Sequence, residues 1–204
     1  MNEIVNYLDE LIPDPKCELN YNKDYELLLA TMLSAQTTDK RVNMVTSILF
    51  KKYDSLEKLR HAKIEDLIEI IKPIGTFNKK ANNIIEIAKK LEQVGDIVPN
   101  DREFLESLPG VGRKTANVVL SNLYNVQCVA VDTHVHRVSI RLGIANKNDD
   151  VYKTEVKLTK KFKDYNLCRV HHQLVLFGRY YCKAIKPLCE NCKLQSMCKY
   201  KSAR

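Results

Sequence analysis

The sequence lacks any apolar run long enough to cross a membrane, and it also lacks an internal repeat and a low-complexity tract. Its first twenty residues contain five acidic side chains and no unbroken apolar stretch, so they do not form a secretory signal. These absences exclude the membrane and secreted classes. We therefore expect an unexported, cytoplasmic protein whose 204 residues fold as one domain of ordinary size or two small ones.

Cysteine is scarce except near the end of the chain. Four of the seven cysteines fall within seventeen residues, at Cys182, Cys189, Cys192 and Cys198. In a reducing cytosol, clustered thiolates bind metal more often than they form disulfides. The remaining three lie far from this group along the chain and are expected to be small core residues: Cys17, Cys128 and Cys168.

The spacing of the four cysteines distinguishes two kinds of metal site. Zinc sites usually pair two short hooks, and here only Cys189 and Cys192 form such a hook. Intervals of six, two and five residues instead wrap a short loop around one larger object. The sequence therefore favours a single [4Fe–4S] cluster, with zinc as the alternative.

Positive charge is unevenly distributed along the chain. The net charge is +8, yet residues 1–150 carry 20 basic against 22 acidic side chains, whereas residues 151–204 carry 13 against 3. Charge alone thus makes nucleic acid the leading partner of the cysteine-containing segment. Residues 153–163 are equally well explained as a solvated face, whereas a phosphate-facing surface is expected of Arg169, Arg179, Lys183, Lys186, Lys193, Lys199 and Lys201.

The periodicity of the apolar residues predicts an all-α protein. Apolar side chains recur at helical intervals over 64–71, 84–91 and 116–123, and residues 25–33 are apolar almost all round, as in a helix buried within a bundle. Proline and glycine separate these segments. We predict about ten short helices, one short strand-like run over 126–131, and a domain seam in that same region.

A glycine-containing turn, Leu108–Gly112, joins a helical segment over 101–107 to another over 115–123. Bare N–H groups at such a helix N-terminus can hold phosphate. Gly-Arg-Lys-Thr resembles the end of a nucleotide-binding P-loop, but the glycine spacing and the preceding helix exclude one. Leu-Pro-Gly-Val-Gly between two helices is the helix–hairpin–helix pattern, which grips one DNA strand by its backbone. An ordinary helix–helix turn is the alternative.

Two residues are candidates for chemistry. Lys114 falls in the first turn of a helix, where the dipole disfavours a cation and favours the neutral, nucleophilic amine. Asp132 is placed to cap the next helix, and an N-cap carboxylate can also assist an attacking amine. Taken singly, a surface lysine touching phosphate and a structural cap are the simpler interpretations. Beside a hairpin that grips DNA, the pair suggests a lysine nucleophile and its carboxylate.

In combination these motifs resemble the endonuclease III family, the bifunctional DNA glycosylases and abasic-site lyases of the helix–hairpin–helix superfamily. The resemblance rests on the four cysteines and on four runs, Leu33–Asp39, Leu108–Lys114, Val131–Val138 and Gly178–Tyr180. These motifs are specific in combination, and the similarity extends over nearly the whole chain.

The resemblance implies two α-helical domains with a DNA-binding cleft between them. A six-helix barrel carrying the hairpin would occupy 17–127, and residues 1–16 and 128–204 would form the [4Fe–4S] cluster domain. The implied function is base excision repair by a monomer on nucleoid DNA, with no membrane partner. Its substrate would be duplex DNA containing abasic sites or oxidised or ring-damaged pyrimidines.

The resemblance also implies roles for individual residues. Lys114 would attack the sugar C1′ of a flipped-out nucleotide with the help of Asp132, and β-elimination would then cut the strand on the 3′ side. Gln36 would fill the gap left by the flipped base, although a helix-capping amide is the simpler interpretation. Cys182, Cys189, Cys192 and Cys198 would hold the cluster, and the further DNA contacts would be Leu108, Gly110, Val111, Gly112 and Arg113.

One position departs from the family pattern. Thr76 stands where family members commonly place a leucine that wedges into the opposite DNA strand. Threonine is shorter and polar, so Phe77 or a neighbour would take over the wedge, or wedging would be weaker. The lesion preference is the property that this substitution affects.

Three rival classes stay open at the level of sequence. Adenine-specific mismatch glycosylases share the fold and the cluster, but they lack the lysine and carry a further C-terminal domain. Mismatch-specific thymine or uracil glycosylases of the superfamily also lack the lysine. A non-catalytic DNA-binding module with a structural or redox-sensing cluster is the third. Lys114 argues against the first two, and borohydride trapping on abasic DNA would separate all three from a lysine-nucleophile enzyme.

Overall fold

The computed structural model describes residues 3–200 and divides the chain into two compact units. Cys17–Tyr124 forms one, which we call the hairpin unit; the described parts of Met1–Lys16 and Asn125–Arg204 form the other, the cysteine unit. The sequence prediction placed the second boundary after residue 127. Eleven α-helices and one π-helical turn make up the regular structure, and no strand occurs within 3–200. The all-α prediction is therefore confirmed.

The hairpin unit is organised around one apolar helix. In α2, every residue from Tyr25 to Leu33 is buried, as expected of a segment that is apolar almost all round. Each fully buried leucine contributes roughly 1.5–3 kcal/mol relative to an exposed one. The helices of this unit are α2 (Asp24–Leu33), α3 (Asp39–Lys52), α4 (Leu56–Arg60), α5 (Ile64–Ile71), α6 (Phe77–Glu92), α7 (Arg102–Ser107) and α8 (Arg113–Tyr124).

The cysteine unit draws its core from both ends of the chain. Ile4 and Leu8 of α1 are buried in the same apolar cluster as Phe162, Leu174 and Leu194. This explains how α1 stays attached to elements more than one hundred residues away. The helices of this unit are α1 (Glu3–Leu11), α9 (Thr133–Arg141), α10 (Val151–Lys161) and α11 (Leu167–Leu176), which continues into a π-helical turn, Phe177–Tyr181.

Capping side chains account for where several helices begin. Asp101, Asp132 and Asp150 each accept a backbone N–H bond from the third residue of the helix that follows. Such a cap satisfies a donor that has no partner within the helix and contributes about 1 kcal/mol. The predicted cap at Asp132 is confirmed.

The strand-like run 126–131 is not a strand. Residues Cys128–Val131 are buried, and Val129 and Val131 contribute to the apolar cluster of the cysteine unit. A strand needs a neighbouring strand to pair with, and none occurs in the described part of the chain. The β-branched residues therefore indicated burial rather than sheet formation.

Candidate functional site

Two apolar side chains anchor the hairpin. α7 ends at Ser107, and Leu108 and Val111 are 2% and 5% exposed. The N–H of Val111 donates to the carbonyl oxygen of Leu108 at 3.1 Å, which closes the turn before α8 begins at Arg113. Leu108 and Val111 thus hold the turn to the core, and the backbone at Gly110 and Gly112 is left exposed.

The two glycines of the hairpin have different requirements. Gly110 has φ +78°, and a Cβ there would overlap the side-chain amide of Asn83 and lie 3.3 Å from Cγ of Met32. Gly112 has open space around its Cα, and its carbonyl accepts the Ala116 N–H at 3.0 Å. The fold therefore requires glycine at Gly110 but not at Gly112. Gly112 presents exposed backbone just before α8.

Lys114 is the second residue of α8 and is exposed to solvent. The first turn of this helix contains no acidic side chain, whereas Arg113 and Lys114 are both basic. Free N–H groups at a helix N-terminus, together with two cations, form a surface suited to a phosphate group. The amine of Lys114 is accessible from solvent.

Asp132 belongs to the cysteine unit, whereas Lys114 belongs to the hairpin unit. Its side chain is half-buried, and Oδ1 accepts the N–H of Val135 at 2.8 Å. Asp132 also attracts the guanidinium of Arg137, whose pKa is lowered from its ordinary value chiefly by burial. The carboxylate is thus held at the N-terminus of α9, near the guanidinium of Arg137.

Arg137 connects α9 to the segment that carries the cysteines. Its guanidinium donates to the carbonyl oxygens of Gly178 at 2.6 Å and of Cys182 at 3.2 Å. Gly178 allows this approach, because a Cβ there would lie 2.9 Å from Cβ of His134. The Gly178–Tyr180 motif therefore marks a close contact between α9 and the π-helical turn.

All four clustered cysteines line one cavity that is open to solvent. Within residues 3–200, no three His, Cys, Asp or Glu side chains converge as a single metal ion requires. Four thiols distributed around a cavity instead suit a larger inorganic group. Soft sulfur donors on a short loop are the ligands that an iron–sulfur cluster takes, so the residues present fit such a group: Cys182, Cys189, Cys192 and Cys198.

Burial raises the pKa of two of these thiols, Cys182 and Cys192. For Cys182 the increase is partly offset by a hydrogen bond from Arg141 to its sulfur at 3.3 Å. Cys182 and Cys198 further raise the pKa of Cys192 by charge repulsion. Burial and mutual repulsion favour the neutral thiols, whereas positive charge beside them, such as a bound metal group supplies, would favour the thiolates.

Arg141 contacts the cysteine loop, and sequence reasoning missed it. It is 8% exposed, and its guanidinium donates to the carbonyl oxygens of Cys182, Lys183 and Ala184, at 3.3, 2.7 and 3.3 Å. The same group lies 4.0 Å from the ring centroid of Tyr200. One side chain thereby orders the start of the cysteine loop. Its position four residues after Arg137, on the same face of α9, is the only signal that the sequence contained.

Two cations of the expected phosphate-facing surface have partners within the cysteine unit. Arg169 donates to Asp9 and to the carbonyl of Pro13, at 2.8 and 2.9 Å, and Lys193 pairs with Glu10 at 2.5 Å. These two cations attach the first helix and its end to the rest of the cysteine unit. Lys183, Lys186 and Lys199 remain exposed, whereas Lys201 lies outside the described residues.

Gln36 and Thr76 share an unusual backbone. Both are exposed residues of the hairpin unit, with φ of 58° and 57°, the left-handed region that favours glycine. Such a conformation in a β-branched residue costs roughly 1–3 kcal/mol and often marks a functional position. Phe77, the alternative wedge, is half-buried in the first turn of α6.

Comparison with known proteins assigns the family. A family model described as HhH-GPD superfamily base excision DNA repair protein matches residues 29–164. Endonuclease III of Bacillus subtilis is 46% identical over 193 residues, covering 94% of this chain and 88% of the relative. The Escherichia coli K12 enzyme of the same name is 43% identical over 200 residues, covering 98% and 94%. The chain belongs to the endonuclease III family.

A solved structure supports the same assignment. The trapped covalent intermediate of endonuclease III with DNA superimposes with a TM-score of 0.93 at 42% identity, covering 98% of this chain and 94% of the other. The chain is accordingly a DNA repair enzyme of the glycosylase and abasic-site lyase class. In the described residues, no helix is long and apolar enough to span a membrane.

Proposed function

We propose that this enzyme removes oxidised or ring-damaged pyrimidines from duplex DNA and cleaves the strand 3′ to the resulting abasic site. The observation that carries the proposal is the exposed amine of Lys114, one residue into α8 and directly after a glycine hairpin suited to the DNA backbone. A related enzyme was solved as a covalent intermediate with DNA, which supports covalent catalysis here. We further propose that the enzyme acts as a monomer in the cytoplasm, on nucleoid DNA.

The proposed chemistry uses Lys114 as nucleophile and Asp132 as its assisting carboxylate. The neutral amine forms a bond to C1′ while the damaged base leaves with the electron pair of the glycosidic bond. One proton of the amine passes to the ring oxygen as the C1′–O4′ bond breaks, which opens the sugar and leaves a protonated imine between the lysine and C1′. Removal of a C2′ proton then drives cleavage of the C3′–O bond, and the 3′ phosphate departs with that electron pair. Asp132 supports the amine and the positive charge that develops on the sugar.

The DNA contacts that we propose surround this lysine. The backbone of Gly110 and Gly112 and the side chain of Arg113 would hold phosphates, with Leu108 and Val111 fixing the turn. Gln36 would fill the space left by the flipped nucleotide. Because phosphate contacts dominate, binding should weaken steeply as salt is added.

We propose that one [4Fe–4S] cluster per chain occupies the cavity lined by Cys182, Cys189, Cys192 and Cys198. Donor type, donor number and the shared cavity support this ligand set. When bound, the cluster supplies positive iron to thiolates that otherwise repel one another. Arg141 holds the backbone of the same loop, which places the residues between the first two cysteines.

Borohydride trapping on abasic duplex DNA tests the proposed function. The unaltered enzyme should form a covalent adduct, whereas Lys114→Gln should form none and should still bind lesion-containing DNA. Lys147→Gln serves as the control, because Lys147 is an equally exposed lysine outside the hairpin. A Lys114→Gln protein that still nicks abasic DNA by β-elimination would move the assignment to another nucleophile.

A further inference from the structure

Lys80 is a buried cation of the hairpin unit that the proposed chemistry does not use. The residue is 5% exposed, and its ammonium group donates to the carbonyl oxygens of Leu33 at 2.9 Å and of Ala35 at 2.8 Å. Both acceptors are neutral backbone groups. Burying an ammonium ion costs free energy, so a buried lysine needs specific contacts that offset this cost.

The two carbonyls lie at the C-terminal end of α2, which finishes at Leu33. The last carbonyls of a helix have no partner within it, and the negative end of the helix dipole attracts a cation there. Lys80 therefore acts as a C-terminal cap supplied by another helix, α6. Burial lowers its pKa, which shows how far the ammonium is removed from water.

The capped segment leads directly into Gln36. Ala35, one of the two acceptors, precedes it, and the N–H of Thr37 donates to the carbonyl oxygen of Ser34 at 3.0 Å, closing a turn around Gln36. Residues other than glycine rarely adopt φ near +58°, so this turn needs contacts that hold it. The bond from Lys80 to Ala35 is one such contact.

The backbone of Lys80 reaches the second left-handed residue. Its N–H donates to the carbonyl oxygen of Thr76 at 3.1 Å, in the first turn of α6. Lys80 thus bonds next to two residues with left-handed backbone, to Ala35 beside Gln36 through its ammonium and to Thr76 through its backbone N–H. Because the Lys80 ammonium bonds to both Leu33 and Ala35, a displacement of the C-terminal end of α2 would also displace the turn at Gln36.

We propose that Lys80 is a positioning residue for duplex DNA, whose ammonium holds the Gln36 turn in the left-handed geometry that presents the glutamine side chain. The inference rests on the proposed function, in which Gln36 fills the gap left by the flipped nucleotide. A single strand has no opposite partner to stabilise, so Gln36 and its support should matter for duplex substrates and not for single-stranded abasic DNA.

A double-mutant cycle tests the inference. Lys80→Met keeps the length of the side chain and removes its charge and donors, and Gln36→Ala removes the presented amide. Each single variant should slow base excision from damaged duplex about tenfold. The double variant should also be slowed only about tenfold, because Gln36→Ala removes a side chain that Lys80→Met has already displaced. Cleavage of single-stranded abasic DNA by Lys80→Met should stay unchanged, because that substrate has no opposite strand. Lys89→Met, an exposed lysine of the same helix, should behave as the unaltered enzyme.

Two results would overturn the inference. Effects of the single variants that multiply to about a hundredfold would show that Lys80 acts independently of Gln36. Equal losses on duplex and single-stranded DNA would show a general structural role. If Lys80→Met does not fold, the same cycle is run with Lys80→Gln, whose amide retains two donors, and multiplying effects would again overturn it. A wild-type enzyme without any lyase activity would instead contradict the proposed function.

Discussion

The hairpin unit and the cysteine unit hold their functional segments in different ways. The hairpin follows one continuous stretch of chain and is fixed by the buried side chains of Leu108 and Val111. In the loop that carries the cysteines, only Leu194 is a fully buried apolar residue, whereas Ile185 is 81% exposed and Leu188 is 56% exposed. Apolar packing therefore orders the first segment, while hydrogen bonds and the proposed cofactor must order the second.

The two segments offset the entropic cost of ordering their backbones in different ways. Ordering each loop residue costs roughly 1–2 kcal/mol of backbone entropy, which the hairpin offsets by burial. The cysteine loop buries too little apolar surface for this, so its order depends on Arg141 and on ligand bonds, as in small metal-stabilised domains. A substitution in one of these segments should therefore disturb that segment and leave the order of the other unchanged.

Loss of one cluster ligand should have the largest effect. We expect purified protein to be yellow-brown with about four irons per chain, and Cys192→Ser to lose the iron and the order of the cysteine loop. Hydrogen exchange should show new exposure in this loop and unchanged protection in α8. Cys17→Ser, in the hairpin unit, should retain colour and iron. One zinc per chain without visible absorbance after anaerobic purification would contradict the proposed cofactor.

Replacement of Arg141 should have the next largest effect. Arg141→Met leaves several carbonyl oxygens of the cysteine loop without their donor and should lower the free energy of unfolding by about 3 kcal/mol. The matched control is Lys193→Met, which breaks an exposed ion pair in the same loop and should cost at most about 1 kcal/mol. Urea unfolding would measure both free energies of unfolding. Equal losses would show that Arg141 contributes no more to stability than an exposed ion pair.

In the hairpin unit, the two glycines should separate stability from binding. Gly110→Ala should destabilise the protein by about 2 kcal/mol, because of its positive φ and the overlap with Asn83. Gly112→Asp should leave the unfolding midpoint nearly unchanged yet weaken binding to every DNA sequence alike, since a negative side chain would face the phosphates. Binding titrations over several sequences and salt concentrations would measure this. Loss of affinity for only some sequences would argue against a backbone grip.

A small change in stability is expected at Asp132, where capping and chemistry can be distinguished. Asp132→Ala should cost about 1 kcal/mol through loss of the cap to Val135, whereas Asp132→Asn can still cap and should change the melting temperature little. Both variants should slow base removal strongly. Near-normal turnover after Asp132→Asn, with loss only after Asp132→Ala, would identify Asp132 as a cap and nothing more.

The sequence by itself determined the features whose signals are local. Helical periodicity located α2, α5, α6 and α8, and the glycine spacing identified the hairpin. The cap at Asp132 and the four clustered cysteines were equally readable, because capping and ligand spacing depend on residues close together in the chain. The combination of these motifs was sufficient to indicate the family.

Only the tertiary structure decided the features that depend on distant partners. The run 126–131 looked like a strand because burial and strand formation favour the same β-branched residues. Arg169 and Lys193 looked like phosphate contacts, although their partners lie on or just after α1. The sequence analysis assigned no role to Arg141 or Lys80. The role of a charged side chain depends on the group that it contacts in the folded protein. Because that group is distant in sequence, no local pattern predicts the contact.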